Sequence, residues 1–335
     1  MCAATVLAQI RFTKHHIQNL GRERIAGYAI SGRELTTWGD RLRSWSIPDG
    51  KVRVLGSGGP FGEGGAIIDV NRDGQLDVVA GEMSPRALVW FEAPRWTRHV
   101  IDTGVDTADV IPADLFGRRG ILLVHRRAQV RFYEIPRDPS ERWPVREIYS
   151  FYTPSDQGGL AIADIDTDGR PDILCGNYWI RSPESFELPW RLFAIELWNE
   201  HQPSAILRLA WMGPRDLIAT QREMPDARLA LFERPADPRQ LWTEHRIADG
   251  LSRPHSLDVA DFDDDGRLDV LVAEQSGSGR LLIFRNEAGR RFTPQIVATG
   301  VNAIHARSID WDGDGRRDIL TISEQAISYW RNESR

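Results

Sequence analysis

Short apolar runs alternate with turn-forming residues along the whole chain. The clearest example is residues 255–300, which read HSLDVADF, an Asp-rich loop, LDVLVAEQ, RLLIFRNE and FTPQIVATG. Short runs with alternating or continuous apolar positions, bounded by Gly, Asn, Pro and Asp, are typical of β-strands joined by tight turns. Four such strands in succession predict one four-stranded antiparallel sheet.

An Asp-rich loop of constant form recurs along the chain. Four loops follow the pattern D-x-[D/N]-x-D-G-x-x-D, and they begin at Asp69, Asp164, Asp261 and Asp310. Their starts are 95, 97 and 49 residues apart, so one degenerate unit is expected within each of the first two intervals. ADLFGRRGILLV around Asp114 and RLAWMGPRDLIAT around Trp211 fill those intervals, and IAGYAISGRELTTW supplies a further unit before the first loop. Internal repetition on this scale indicates a repeat fold.

A second, independent marker gives the same number of units. In each unit an apolar or aromatic run ends at a breaker, and these breakers are Pro48, Pro94, Pro136, Pro183, Pro235, Asn286 and Asn332. Units of about 40 to 50 residues with four short strands each are typical of propeller blades. The sequence therefore predicts an all-β fold, a seven-bladed β-propeller with four-stranded blades that start near residues 21, 59, 105, 155, 201, 253 and 301.

The last blade lacks a strand at its C-terminal end. The seventh unit stops after ISYWRN, whereas residues 11–21 (RFTKHHIQNLG) resemble the fourth strand of the sixth unit, residues 291–300 (RFTPQIVATG). We therefore expect the N-terminal strand to complete the last blade, which also removes an exposed sheet edge. Residues 9–335 then form a single propeller, and residues 1–8 are a tail or the remnant of a signal peptide that ends at Val6-x-Ala8. A signal peptide predicts an extracytoplasmic, periplasmic or secreted protein; a frayed tail leaves a cytoplasmic location open.

Composition narrows the possible partners. The formal net charge is -6, and the chain shows no clustered basic segment of the kind that binds nucleic acid. No apolar run is long enough to cross a bilayer. Two cysteines cannot form a disulfide framework.

The Asp loops have the composition of calcium sites. Side chains at positions 1, 3, 5 and 9 and the backbone carbonyl at position 7 supply oxygen ligands, which calcium prefers, and Gly at position 6 permits a sharp turn. Carboxylates this close also repel one another unless a cation pairs with them. About four Ca²⁺ sites are predicted, and Asn71 in place of an acid predicts that the first is the weakest. The ligands are Asp69, Asn71, Asp73, Gln75, Asp77, Asp164, Asp166, Asp168, Arg170, Asp172, Asp261, Asp263, Asp265, Arg267, Asp269, Asp310, Asp312, Asp314, Arg316 and Asp318, of which Gln75, Arg170, Arg267 and Arg316 act through the backbone carbonyl.

These loops resemble the FG-GAP/VCBS repeat family, the calcium-loop propellers that include the integrin α-chain head. The resemblance covers essentially the whole chain, but units one, three and five are degenerate. It implies the fold and the loop metals, and it implies no particular function because this fold hosts adhesion modules, lectins and some lyases. Units six and seven are also similar, over short stretches, to repeats of aldos-2-ulose dehydratase-type propellers.

Polar residues are expected to converge at one mouth of the central channel. The Asp loops join the innermost strand of a blade to the second, so the start of the first strand and the end of the second lie on the opposite face. The ligand-binding candidates at these positions are Glu63, Glu82, His125, Gln157, Asn177, His255, Glu274, His305 and Glu324.

Three functions remain open for this mouth. The first is a binding site for a carbohydrate or protein ligand. The second is a sugar lyase or dehydratase in which His255, His305 and Glu274 supply acid and base, and the same histidines with a carboxylate could hold an additional channel metal. The third is a purely structural interaction module.

Overall fold

The computed structural model describes residues 9–152, 156–197, 204–222 and 224–334. These residues form seven antiparallel sheets in a ring, and the described ranges contain no helix. The predicted seven-bladed β-propeller is therefore confirmed. The predicted tail over residues 1–8 and the unit boundaries near 155 and 201 lie outside the described residues.

The chain enters through a strand of the last blade and then builds the blades in order. This first strand is β1 (Phe12–Asn19). Blade 1 contains β2 (Ile25–Ser31), β3 (Glu34–Gly39), β4 (Leu42–Ser46) and β5 (Val52–Gly56). Blade 2 contains β6 (Phe61–Ile68), β7 (Asp77–Met83), β8 (Arg86–Glu92) and β9 (Thr97–Thr103). Blade 3 contains β10 (Thr107–Leu115), β11 (Arg118–His125), β12 (Gln129–Glu134) and β13 (Val145–Ser150).

The second half of the ring follows the same plan with one addition. A short strand, β14 (Asp156–Gly158), precedes blade 4, which contains β15 (Leu160–Ala163), β16 (Asp172–Cys175), β17 (Tyr178–Arg181) and β18 (Arg191–Ala194). Blade 5 contains β19 (Ser204–Trp211), β20 (Asp216–Gln221), β21 (Ala227–Glu233) and β22 (Thr243–Leu251). Blade 6 contains β23 (Pro254–Ala260), β24 (Asp269–Glu274), β25 (Leu281–Asn286) and β26 (Phe292–Ala298). The last strands are β27 (Ala303–Ile309), β28 (Asp318–Ser323) and β29 (Ala326–Asn332). Strand β14 pairs in parallel with β19 and adds a fifth strand to blade 5, which the repeat pattern did not predict.

The N-terminal strand closes the ring, as predicted. Blade 7 has the order β1-β29-β28-β27, and β1 runs antiparallel to β29 with Phe12 opposite Asn332. The preceding residue Ile10 is buried, and its backbone exchanges two hydrogen bonds with the side chain of Gln295 in blade 6, at 3.0 and 2.7 Å. The N-terminal segment therefore holds two neighbouring blades.

The hydrophobic core is divided among the seams between blades. Seven apolar clusters are buried, and each joins residues of two neighbouring blades. The second residue of every Asp loop belongs to one of these clusters and is about 1% exposed; these residues are Val70, Ile165, Phe262 and Trp311. The loops thus stabilise the ring by burying an apolar side chain as well as by any ion they hold.

The degenerate units have shorter connections between their first two strands. In blade 3, Phe116 and Gly117 alone join β10 to β11, with φ values of 57° and 75°. Two successive residues with positive φ make the tight hairpin turn that matches strand twist. This turn needs no acidic side chains, which explains why the Asp pattern is missing there.

Candidate functional site

Each Asp loop is organised by its own carboxylates. The first Asp accepts hydrogen bonds from the backbone N–H of the glycine at position 6 at 2.8–3.1 Å in all four loops. These glycines, Gly74, Gly169, Gly266 and Gly315, have φ of 83–89°. A side chain is disfavoured at that backbone conformation, so the glycine in the motif is a requirement of the turn.

The ninth position ties the loop to the rest of its blade. In every loop its Asp is fully buried, and its two oxygens accept hydrogen bonds from two backbone N–H groups at 2.8–3.1 Å. For Asp269, the donors are Phe262 inside the loop and Asn286 at the end of the third strand. Burial raises the pKa of Asp172 and Asp269 to about 6, against the opposing effect of these N–H donors. Each oxygen still has a lone pair for a cation.

Arginine side chains already pair with acids of three loops. Position 7 pairs with position 5 through Arg170–Asp168, Arg267–Asp265 and Arg316–Asp314. The arginine at or next to the end of the third strand pairs with position 3 through Arg181–Asp166, Arg285–Asp263 and Arg331–Asp312. Repulsion among the acids is thus partly relieved within the protein, so the argument that repulsion alone demands a metal is weaker than the sequence suggested.

The donor set nevertheless fits calcium. In the loops of blades 4, 6 and 7, three carboxylate oxygens lie within 4.8 Å of one another. One oxygen each of Asp166 and Asp263 is buried with no hydrogen-bond partner, although the other oxygen pairs with arginine. A buried oxygen without a partner is costly, and a hard cation bound by oxygen ligands would satisfy it.

The loop of blade 2 balances its charges differently. Asn71 replaces the acid at position 3, and Glu92 occupies the strand position that arginine fills in the other three blades. The amide of Asn71 donates to Glu92 Oε1 at 3.1 Å, and His99 lies 3.0 Å from the other oxygen. The carboxylate of Glu92 supplies the negative charge that position 3 lacks because Asn71 is neutral. Charge alone therefore gives no reason to rank this loop as the weakest site.

The opposite face opens into the central channel. A cavity of about 620 Å³ is lined by the inner strands of all seven blades, β2, β6, β10, β15, β19, β23 and β27. A second cavity of about 530 Å³ continues from it, and Glu63 and His255 line both. Because these two residues lie near the start of their strands, while the Asp loops follow the end, the second cavity is the mouth away from the loops.

Three side chains from blades 2, 5 and 6 form a buried network at the junction of the cavities. Arg222, only 2% exposed, forms an ion pair with Glu63 and donates through Nε to His255 Nε2 at 2.9 Å. His255 Nδ1 lies 2.7 Å from the carbonyl of Ile304, so the neutral ring carries its proton on Nδ1. Burial raises the pKa of Glu63, but the charge and hydrogen bond of Arg222, together with the charge of Arg208, outweigh burial and lower the pKa from its ordinary value.

His305 stands beside this network in blade 7. Its ring lies 5.9 Å from that of His255 and 5.0 Å from that of Tyr28. Burial, and then the charge of Arg208, lowers the pKa of His305 to about 4. Its Nε2 lies 3.1 Å from the carbonyl of Ala26, which places the proton of the neutral ring on Nε2. Nδ1 is then left as an acceptor next to the cavity.

The other ligand-binding candidates, apart from Glu324, take part in structural contacts. Both oxygens of Glu274 accept hydrogen bonds, from Ser252 N at 2.8 Å and from Arg280 Nε at 2.8 Å, so this geometry does not support it as the acid or base. Glu82 forms a bidentate pair with Arg98. His125 accepts a hydrogen bond from the backbone N–H of Asp106 at 3.3 Å. The side chain of Asn177 donates a hydrogen bond to the carbonyl of Glu196 at 3.1 Å. The backbone N–H of Gln157 donates a hydrogen bond to the carbonyl of Arg127 at 2.6 Å. Glu324 lines the mouth cavity.

The channel and the network that borders it also contain residues that the sequence did not single out. Arg208 and Arg222 come from the degenerate fifth unit, and Tyr28 and Asp109 come from the inner strands of blades 1 and 3. Arg208 lies on the inner strand of its blade, so an alignment of this degenerate unit with the others would have placed it beside the channel. Arg222 directly follows β20, the second strand of blade 5. The end of the second strand is the position from which the sequence analysis took candidates in other blades.

Protonation of His305 should destabilise the fold in mild acid. The folded pKa of about 4 lies below the ordinary 6.5, so the unfolded chain binds more protons between these values and stability falls as the pH drops from 6.5 to 4. Between pH 7 and pH 5 the protonation of His305 should lower the free energy of unfolding by about 2 kcal/mol. Denaturant unfolding at both pH values should show a smaller loss for His305→Gln than for the wild type. His16→Gln, at an exposed position of β1, should keep the wild-type loss, and an equal loss in all three proteins would contradict the assignment.

The fold and the hairpin loops define a seven-bladed β-propeller with FG-GAP-type Asp loops. Residues 261–321 match the family described as FG-GAP-like repeat, which confirms the first of the two resemblances. No curated protein matches the chain.

Solved structures with the same fold include proteins of diverse kinds. An ancestral GH74 enzyme matches 94% of this chain at 12% identity, with a TM-score of 0.63. YCF48 from Cyanidioschyzon merolae matches 95% of this chain and 98% of its own at 9% identity and a TM-score of 0.59. The extracellular domain of the one-component system BT4673 from B. thetaiotaomicron matches 97% of this chain at 14% identity and a TM-score of 0.56. This chain spans 48% of the GH74 enzyme and 40% of the BT4673 structure. At these identities the similarity shows the fold alone.

Among the described residues, no helix has the length and apolarity needed to cross a membrane.

Proposed function

We propose that this protein is a calcium-stabilised, extracytoplasmic propeller that binds a carbohydrate in its channel, on the side away from the Asp loops. The supporting observation is the network of Glu63, Arg222 and His255 at the junction of two cavities. A wide polar cavity lined by donors and acceptors suits a ligand with many hydroxyl groups. A carbohydrate is preferred to a protein ligand because the polar groups lie inside the channel, where a folded partner cannot reach.

Calcium has a structural role in this proposal. The Asp loops follow the ends of the inner strands, whereas the network lies near the starts of these strands. Ions in the loops would therefore not contact the ligand. They would instead hold the hairpin whose second residue is buried in the seam between blades. The GH74 enzyme and the extracellular domain are consistent with a carbohydrate ligand and an extracytoplasmic location, but they support the proposal only through the shared fold.

A sugar lyase or dehydratase is the second candidate. The observation in its favour is the pair of neutral imidazoles beside an ionised carboxylate, because His305 Nδ1 is a free base at neutral pH. Such a base could take the α-proton in a β-elimination while the bond from the β-carbon to the leaving oxygen breaks, and that oxygen would take a proton from Tyr28 or from water, with Glu63 nearby.

Glycan binding tests the proposed function. The wild type should bind a subset of sugars on a glycan array, and His255→Gln should weaken that binding at least about tenfold because it removes a network side chain that lines both cavities. Arg246→Gln, on an outer strand with a half-exposed side chain, should bind as the wild type does. Melting curves must show that each variant is folded.

The outcome also separates the candidates. An unsaturated product from a bound sugar, followed by its ultraviolet absorbance and lost in His305→Gln, would favour the lyase. If no sugar binds to the folded wild type, the carbohydrate proposal is wrong.

A further inference from the structure

Arg208 is a cationic group in the channel with spare hydrogen-bonding capacity. It lies on β19, the inner strand of blade 5, and lines the cavity of about 620 Å³. Its Nε donates to the carbonyl of His255 at 3.1 Å, which holds the guanidinium in place. Its side chain is 23% exposed, and that exposure is toward the cavity it lines.

The acid nearest to Arg208 does not fully satisfy it. Asp109 Oδ1 lies 3.5 Å from Arg208 Nη1, longer than a good hydrogen bond between charged groups. The other oxygen of Asp109 accepts the backbone N–H of Gly159 at 2.7 Å, so this carboxylate is held by the chain. In the described part of the chain, Arg208 makes no other side-chain hydrogen bond besides that to His255. Its terminal nitrogens therefore still offer N–H donors to the cavity.

The surroundings make this group receptive to negative charge. Burial, and then the charge of Arg222, lowers the pKa of Arg208 from 12.5, so the protonated guanidinium would gain from a further anion. Arg222 is already paired with Glu63, and the two neighbouring imidazoles are uncharged at neutral pH. Arg208 is thus a cation that a ligand in the cavity can reach; the more exposed Arg307 also lines this cavity, with its Nε 3.7 Å from Asp258 Oδ2.

Building on the proposed function, we propose that the bound carbohydrate carries a carboxylate that pairs with Arg208. The planar guanidinium matches a carboxylate through two parallel N–H···O bonds. A singly charged group fits better than a phosphate, because Asp109 and Glu63 line the same cavity and would repel a dianion more strongly. The ligand class is therefore an acidic sugar such as a uronate.

Acid and ester forms of the same sugars test this inference. Wild-type protein would be titrated with oligomers of galacturonate and of glucuronate, the methyl esters of the same oligomers, and sugar phosphates. At least one acid should bind about 10- to 100-fold more tightly than its ester. Arg208→Gln should remove that preference while Arg246→Gln keeps it, and the acid–ester comparison on the wild type stands even if Arg208→Gln does not fold.

The possible results distinguish this inference from the proposed function. Equal binding of acids and esters would leave the carbohydrate site intact and overturn the role of Arg208. Tighter binding of sugar phosphates than of any uronate would likewise overturn the carboxylate assignment. If the folded wild type binds no sugar of either kind, both proposals are wrong.

Discussion

Removal of residues 1–21 should make the protein aggregate or unfold at a much lower temperature. The deletion takes away β1, the strand that pairs with β29 from Phe12 to Asn19, and leaves β29 as an open sheet edge. It also removes Ile10 and Leu20, which are 4% and 7% exposed. Burial of two such side chains contributes about 3–6 kcal/mol, a large part of the stability of an ordinary domain. Thermal unfolding and size-exclusion chromatography would measure the effect.

Point variants distinguish the loss of ring closure by β1 from a general effect of shortening the chain. Ile10→Ala should cost about 2–5 kcal/mol, because it leaves a cavity at the seam between blades 6 and 7. Thr13→Ala, at an exposed position of the same strand, should change stability by no more than about 0.5 kcal/mol. A melting curve for the 1–21 deletion that matches the wild type would refute the closing role of β1.

Removal of calcium should lower the melting temperature substantially. Each loop that binds only in the folded state adds about 2.7 kcal/mol when free calcium is a hundred times the dissociation constant. Saturation with Mg²⁺ should restore less of the stability, since magnesium demands a smaller octahedral shell and keeps several of its waters. Calorimetry of chelated, calcium-loaded and magnesium-loaded samples would measure this, with elemental analysis to count bound ions.

A matched pair of acids locates the effect in the loops. Asp263→Asn removes charge at a buried oxygen that has no hydrogen-bond partner and should reduce the stabilisation by calcium. Asp249→Asn, at an exposed position of β22, should leave it unchanged. Identical melting of chelated and calcium-loaded wild type, with no bound ion, would exclude calcium as a stabilising ligand.

The order of the blades could be predicted from the sequence because it depends on local patterns. Strand runs, the Asp loops and the breakers after the third strand are each contiguous in the chain, and their spacing alone counts the blades. The closing strand was also predictable, since residues 11–21 resemble the fourth strand of another unit and the last unit lacks one. The parallel strand β14 was not, because its three residues carry no pattern of their own and pair only with β19.

The candidate site was predicted in part. Of the residues that the topological rule selected, Glu63, His255 and His305 line the channel cavity, whereas Glu82 and Glu274 form ion pairs with Arg98 and Arg280. The rule places a residue at a strand end, but it cannot say whether a neighbouring arginine already satisfies it. In the Asp loops, likewise, the acids were predicted, whereas their pairing with arginines of the third strand was not.

The chain's own pattern determined the fold, the number of blades, the closing strand and the Asp loops, because each rests on a short contiguous motif or on the resemblance of one such motif to another. Only the tertiary structure decided which charges face the channel. Glu63 and Arg222 are separated by 159 residues, and a closed ring is needed to bring their blades to one axis. There, burial and mutual charge set the protonation of His255 and His305 and leave Arg208 facing the cavity, which no local pattern encodes.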